Sequence, residues 1–343
     1  MIIRILAYTD EGNRIAELMK EGLSEHIVQI YDRKSGDSEG ESAWIGEAFS
    51  CRMPLIFVGA AGIAVRKIAP FVTDKLTDSP VVVSDEHGKH IIPILSGHMG
   101  GADALAIDIA KVTGGEAIIT TATDLNDTFA VDVWAKNNGL SILNRDGIVR
   151  VSSKLLKEGI ISVCISDDIS VDGGEAPDCI DIVSYPPKSL VDVLVSTEDD
   201  CMNMYKANLY LKPKTLCVGM GCKKDTDMEK LEELFCEYVK DPAEVYGIAS
   251  IDLKSREYGL IKMAQKMGIR SYFPKAEELM QVEGDFAESD FVKEVTGVSN
   301  VCERAAAYLA GTGSVIRVHK TAREGVTIAV SEKRPKINSW ECR

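Results

Sequence analysis

The nine cysteines include no CxxC pair, no apolar run reaches membrane-spanning length, and no glycine turn has Walker or Rossmann spacing. Each absence excludes something. An odd number of irregularly spaced cysteines fits reduced thiols better than a disulfide framework. The opening M-I-I-R-I-L-A-Y-T-D has no signal-peptide h-region or cleavage site, so a cytoplasmic protein is expected. No cluster of His, Cys and carboxylates has metal-ligand spacing, so no cofactor or metal of its own is expected. Positive charge is also scarce: 39 Lys and Arg face 53 Asp and Glu, a net charge of −14. That balance argues against nucleic acid and anionic membranes as partners. It leaves room for a small polyanion held in a local basic pocket.

What is present is a chain of 343 residues with 45% apolar content, enough for two or three domains with substantial cores. Apolar runs at 2–8, 27–31 and 55–58 predict strands, and 81–83 with 91–95 predict a hairpin around D-E-H-G-K. Helical spacing covers 12–20, 102–112 and 127–137, while 32–41 is expected to be a loop. From 140 to 213 short apolar segments alternate with Asp-, Gly- and Pro-rich turns. A further unit begins with a strand at 215–219, then a helix at 228–239 opened by a Thr226/Glu229 capping box. The expected fold class is α/β and multidomain: an N-terminal α/β domain (1–139), a small central strand-rich or α/β module (140–213) and a C-terminal α/β domain (214–343). Both α/β units are expected to carry mostly parallel sheets.

The segment P-I-L-S-G-H-M-G-G-A-D-A-L-A (93–106) places an apolar strand end, three glycines and one histidine directly before a helix. A helix N-terminus presents unpaired N–H groups to an anion, and His98 can move a proton near neutral pH. Gly97, Gly100 and Gly101 would shape the turn, for close approach of a ligand or for tight packing alone. Glu86, in the preceding hairpin, is a candidate to orient His98, although surface polarity explains it equally well. Gly59, Ala60 and Gly62 open a second anion-receptive turn, with Arg66 offering a fork for a carboxylate. Thr120, Thr121 and Asp124 follow a strand and either bind carboxylates or cap a helix. A third turn comprises Gly219, Gly221, Cys222 and Lys223, where a helix start can lower a thiol pKa. Glu303 and Arg304 begin a helix and either contact ligand or pair with neighbours. Because ligands of open α/β sheets collect beyond strand ends, all three turns are expected to wall one crevice.

Six strings together resemble the CbiG family of anaerobic cobalamin biosynthesis. They are G-A-A-G-I-A-V-R-K-I-A-P (59–70), L-S-G-H-M-G-G-A-D-A-L-A (95–106), I-T-T-A-T-D (119–124), G-M-G-C-K-K-D-T (219–226), I-D-L-K (251–254) and G-V-S-N-V-C-E-R-A-A-A (297–307). The resemblance spans nearly the whole chain in motif order, least clearly in the centre, and Asp103 stands where family members commonly have Asn. It implies a cobalt-precorrin-5A hydrolase that opens the ring-A acetate δ-lactone and releases the C20 two-carbon unit as acetaldehyde, giving cobalt-precorrin-5B. The residue reading fits that function: His98, oriented by Glu86, is expected to be catalytic and the three turns are expected to contact substrate. The implied partner is a polycarboxylate cobalt-corrinoid intermediate, with cobalt belonging to the substrate, and transient contact with neighbouring pathway enzymes. Two other classes remain: a corrinoid carrier without chemistry, and a nucleotide-dependent α/β enzyme, which the glycine spacings disfavour.

Overall fold

The computed structural model describes residues 1–33, 38–74, 77–97, 100–120, 129–286 and 298–342. Ile2–Ala7 (β1), Leu55–Val58 (β3) and Val81–Ser84 (β4) are mostly apolar, apart from Arg4 and Ser84, and buried on both faces, the pattern of a parallel sheet covered on two sides. With Ile27–Ile30 (β2) they pair in parallel, in the order β2-β1-β3-β4. Asp10–Gly22 (α1), Ser38–Ser50 (α2) and Ala61–Ile68 (α3) provide the crossovers. α2 begins inside the segment expected to be a loop. The hydroxyl of Thr9 starts α1 by accepting from the Gly12 amide at 3.0 Å.

His90–Leu95 (β5) breaks the parallel order. D-E-H-G-K is too short for a crossover, so β5 returns antiparallel to β4, with Ile91 opposite Ser84 and Leu95 opposite Val81. Ala102–Thr113 (α4) leads to Glu116–Ala117 (β6), which pairs in parallel with β5. The sheet therefore has two functional edges. β1, β3 and β4 end on its carboxyl edge; β5 ends on the opposite, amino edge.

The middle module contains Val131–Asn137 (α5), Leu140–Ile142 (β7), Asp146–Glu158 (α6), Ile161–Ile165 (β8), Ser170–Val171 (β9), Ile180–Val183 (β10), Val191–Val195 (β11), Cys201–Met204 (α7) and Ala207–Pro213 (β12). Its sheet runs β10-β8-β11-β12-β7, parallel except for β7. Buried Asp192 pins α6 to the sheet by accepting from Lys154 Nζ at 2.6 Å and from the Ser162 amide at 2.8 Å.

The third module contains Leu216–Cys222 (β13), Met228–Tyr238 (α8), Val245–Ala249 (β14), Tyr258–Lys266 (α9), Ser271–Tyr272 (β15), Ala276–Met280 (α10), Val301–Ala310 (α11), Val315–Arg323 (β16) and Val326–Glu332 (β17). β13, β14 and β15 are parallel, but β17 is antiparallel to β13 and β16 to β17, so this sheet is mixed rather than mostly parallel. The reason is local: Glu324 and Gly325, both at positive φ, join β16 to β17 in a two-residue turn. The predicted capping box is also absent. Asp227 is the N-cap of α8, and the Thr226 hydroxyl donates instead to the Lys223 carbonyl at 2.7 Å.

The tail then returns to the middle module. Lys336–Ile337 (β18) pairs with β9, and Trp340 stacks on Trp134 of α5 with ring centroids 5.3 Å apart. That core thus takes α5 from before residue 140 and the tail from beyond 213. α9 docks the third module on the first: Gln265 clamps both backbone groups of Ile2, at 2.6 and 3.1 Å, and Ile261 joins the core of Leu55 and Phe57. Among the described residues, no helix is long and apolar enough to cross a membrane.

Candidate functional site

The turn after β5 is wound tightly on itself. Ser96 takes φ +56° and Gly101 φ +91°. The Gly97 carbonyl accepts from the amides of Gly101 and Asp103 at 3.0 and 3.3 Å, and the Ser96 carbonyl accepts from Ala102 at 3.2 Å. The first amides of α4 are thus consumed inside the turn, and Asp103 supplies negative charge at the helix start. The anion site expected there is closed at these three N–H groups. The glycines answer to packing instead. A Cβ on Gly97 would fall 2.6 Å from both Asp103 carboxylate oxygens, and one on Gly100 2.6 Å from the Ser96 carbonyl. The Ser96 hydroxyl donates to the Asp78 carbonyl at 3.0 Å, tying the turn to the amino edge. His98 lies outside the described residues; Gly97 and Gly100 on either side of it are on that edge. Thr120 is exposed beyond β6, while Thr121 and Asp124 lie outside the described residues.

Glu86 stands on the carboxyl edge, where its carboxylate accepts from the Thr9 hydroxyl at 2.8 Å. β5 is six residues long, so about 20 Å of strand separates the two edges. The expected pairing of Glu86 with the glycine turn is therefore corrected: the hairpin reverses the strand and carries the turn away. Neighbouring Asp85 locks that hairpin by accepting from the amides of His87, Lys89 and His90 and from His90 Nδ1. Burial pushes its carboxyl pKa up, but these donors outweigh it and hold it below the ordinary value. The Gly59–Gly62 turn shares the carboxyl edge, since the Gly59 amide donates to the Ser84 carbonyl at 2.8 Å. Ala60, the N-cap of α3, has no side-chain cap, and Arg66 folds back to the Gly62 carbonyl at 3.4 Å.

In the third module, Gly219 and Gly221 are interior to β13 rather than in a turn. A Cβ on Gly219 would lie 1.8 Å from the Cys302 carbonyl oxygen, so this glycine lets α11 seat on the sheet. Burial pushes the Cys222 thiol up to about 11, the reverse of activation. The Lys223 amide donates to the Gly325 carbonyl at 3.2 Å and closes the neighbouring hairpin. Glu303 is buried at 1% exposure; it accepts from Asn300 Nδ2 at 2.6 Å, from the Lys320 amide at 2.7 Å and pairs with His319 Nδ1 at 3.2 Å. A bulge makes this possible: Val318 faces Val330 and Thr321 faces Ile328, leaving His319 and Lys320 both opposite Ala329. Arg304 donates to the Val282 and Leu279 carbonyls at 2.9 and 3.3 Å and covers the Phe286 ring. The His319 and Lys320 contacts were not legible in sequence, because only the bulge brings them to the helix.

The Gly59–Gly62 turn and the Gly97/Gly100 turn lie on opposite edges of the first sheet, so the three turns do not wall one crevice. What the fold does bring together is positive charge where the modules meet. Arg52, at φ +52° just before β3, lies against the Gly268 turn of the third module, where a Cβ would fall 2.2 Å from its Nη1. With Phe49, Phe71, Thr73, Asp78 and Lys266 it lines a cavity of about 460 Å3. Lys214, whose amide donates to the Gly139 carbonyl at 2.8 Å, is near enough to Arg52 and to Arg270, before β15, for the charge of each to act on it. Asp78 belongs both to this cavity and to the tether of the glycine turn. Among the described residues, no group of three or more His, Cys, Asp or Glu is placed to hold a metal ion.

Two family models match the chain: Cobalamin synthesis G N-terminal over residues 43–124 and Cobalamin synthesis G C-terminus over 216–331. A cobalt-precorrin-5A hydrolase of Salmonella typhimurium is 34% identical over 297 residues, covering 83% of each chain. One of Priestia megaterium is 32% identical over 292 residues, covering 81% of this chain and 78% of the relative. A solved cobalamin biosynthesis protein G homolog from Sulfolobus solfataricus covers 96% of both chains at 24% identity and a TM-score of 0.40.

Proposed function

The chain belongs to the CbiG family of cobalamin synthesis, a family of hydrolases, and from that membership we propose that it is a cobalt-precorrin-5A hydrolase. The observation that carries this reading is the 34% identity with the Salmonella hydrolase over 83% of both chains. The reaction is the opening of the ring-A acetate δ-lactone followed by loss of the C20 unit as acetaldehyde. The substrate is a carboxylate-fringed cobalt corrinoid, and its metal arrives with it.

In the proposed chemistry His98 takes a proton from water as its oxygen attacks the lactone carbonyl. The new C–O bond replaces the ring ester bond, and the former ring oxygen leaves as a hydroxyl on the two-carbon arm, reprotonated by the imidazolium. Loss of that hydroxyl proton then drives carbon–carbon cleavage. The oxygen becomes the carbonyl of acetaldehyde, and the bonding electrons pass into the conjugated macrocycle, which takes up a proton. The protein contributes positioning and proton transfer, while the macrocycle supplies the electron sink. The scheme assigns no role to Glu86, whose carboxylate accepts from the Thr9 hydroxyl on the carboxyl edge.

The test is anaerobic incubation of the full chain with cobalt-precorrin-5A, with acetaldehyde trapped by alcohol dehydrogenase and NADH. Acetaldehyde release above the enzyme-free rate supports the hydrolase. A shifted corrinoid spectrum with no acetaldehyde above that rate contradicts it and identifies a carrier.

A further inference from the structure

The strongest unexplained feature is uncompensated positive charge inside a strongly acidic molecule. Among the described residues, no carboxylate forms an ion pair with Arg52, Lys214 or Arg270, although the chain has 53 Asp and Glu and 39 Lys and Arg. Arg52 and Lys214 are half-buried, and Arg270 is exposed beside them. The three come from three parts of the chain: the start of β3, the link between β12 and β13, and the start of β15. Burying like charges together opposes folding, because each loses hydration and repels the others. Burial, then the neighbouring Arg270 and Arg52, depress the pKa of Lys214 below the ordinary lysine value. Asp241 is the carboxylate whose charge reaches Lys214, and its Oδ1 already accepts from the Ala243 amide at 2.8 Å.

The adjoining cavity has lining suited to an organic acid: Arg52 for charge, and Phe49 and Phe71 for an apolar stem. The Asp78 carboxylate does not repel an anion freely, since it accepts from the Thr73 amide and hydroxyl and the Asp74 amide at 3.0 to 3.1 Å. At about 460 Å3 the cavity suits a side arm rather than a whole macrocycle. The glycine turn is fastened to the same wall through Asp78.

We propose that this three-module junction is the carboxylate-binding site of the protein, with Arg52, Lys214 and Arg270 anchoring the acidic side arms of a polycarboxylate corrinoid. This rests on the reading that the substrate is such a corrinoid, and adds which surface grips it. The anchors are shared among modules, so binding fastens the modules to one another.

Binding is measured on the full chain by calorimetry with cobyrinic acid, a corrinoid bearing free carboxylates, and with its fully methylated ester. The acid is expected to bind, weakening steeply with salt, and the ester to bind at least about tenfold more weakly. Lys214→Gln and Arg270→Gln are each expected to weaken binding of the acid by about tenfold, while Lys214→Arg retains it. The unliganded Lys214→Gln protein is expected to melt no lower than wild type, because neutralisation removes repulsion. Acid and ester binding alike, acid binding undiminished in both glutamine variants, or no binding of the acid overturns the proposal. Should Lys214→Gln not fold, the exposed Arg270→Gln decides. Wild-type protein that binds the acid but releases no acetaldehyde from cobalt-precorrin-5A overturns the hydrolase reading and leaves this one standing.

Discussion

Gly219→Ala is expected to be the most damaging single-methyl change in the third module. Gly219 lies within β13 and its φ is not in the left-handed region, so alanine meets no backbone strain there. The obstacle is the seat of α11. A new Cβ would fall 1.8 Å from the Cys302 carbonyl oxygen and 2.8 Å from the Ala306 amide nitrogen. Both are backbone atoms of a helix, so no rotamer change relieves the clash. Restoring contact distance requires α11 to lift by more than 1 Å (roughly the shortfall from van der Waals contact). That opens the packing of Cys302, Ala306 and Ala329, each at most 1% exposed. Overpacking of this kind costs about 1–3 kcal/mol, and the upper end applies because the opposing atoms are backbone. For a unit of this size about 3 kcal/mol lowers Tm by roughly 10 °C. Gly221→Ala is the internal control: its Cβ would meet only the Thr327 hydroxyl, at 2.6 Å, which a side-chain rotation clears. Thermal unfolding of the two variants, with hydrogen exchange across 301–310, reads the difference. A Gly219→Ala protein as stable as Gly221→Ala, with unchanged protection in α11, refutes the assignment of Gly219 to helix packing.

Other consequences can be measured in the same way. Asp192→Asn is expected to destabilise the middle module by about 2–4 kcal/mol, since it strips the charge opposing Lys154. Burial pushes the Asp192 pKa up, but Lys154 and the Ser162 amide and hydroxyl outweigh it and hold it low. Its contribution is therefore complete above about pH 4 and lost as pH falls through the lower folded-state value, so urea midpoints of wild type and variant should converge in acid. Glu303→Ala leaves the part-buried Lys320 amide without its acceptor and should cost about 2–4 kcal/mol, with faster exchange at Lys320. With its pKa at about 11, Cys222 is about one part in a thousand thiolate at pH 8; iodoacetamide should reach exposed Cys236 well before it. Preferential labelling of Cys222 would contradict its burial.

Much of the α/β alternation was legible because buried strands such as β3 and β4 are short, unbroken apolar runs bounded by glycine or polar turns. α2 was not. Its S-E-G-E-S-A-W-I-G-E-A-F-S carries two glycines and three serines, poor helix formers, and it is held by tertiary contacts of Ile45, Ala48 and Phe49. The D-E-H-G-K hairpin could be read, yet its consequence is three-dimensional: one reversed strand moves the glycine turn to the opposite edge from Glu86 and Gly59. The strand at 215–219 was expected to stop at Gly219, because glycine is a turn signal. The structure continues it to Cys222, using the missing side chain for helix contact. The cationic junction left no local signature, since its members are more than 50 residues apart in sequence and each is unremarkable alone.

The account turns on the proton transfer proposed for His98. The most direct measurement is acetaldehyde release from cobalt-precorrin-5A by His98→Ala beside Glu86→Gln, both corrected for the enzyme-free rate. A proton-transfer role predicts a loss of about 10²–10⁴ in kcat for His98→Ala, with Glu86→Gln within about threefold of wild type. Full activity in His98→Ala with collapse in Glu86→Gln would place the reaction on the carboxyl edge and contradict the account.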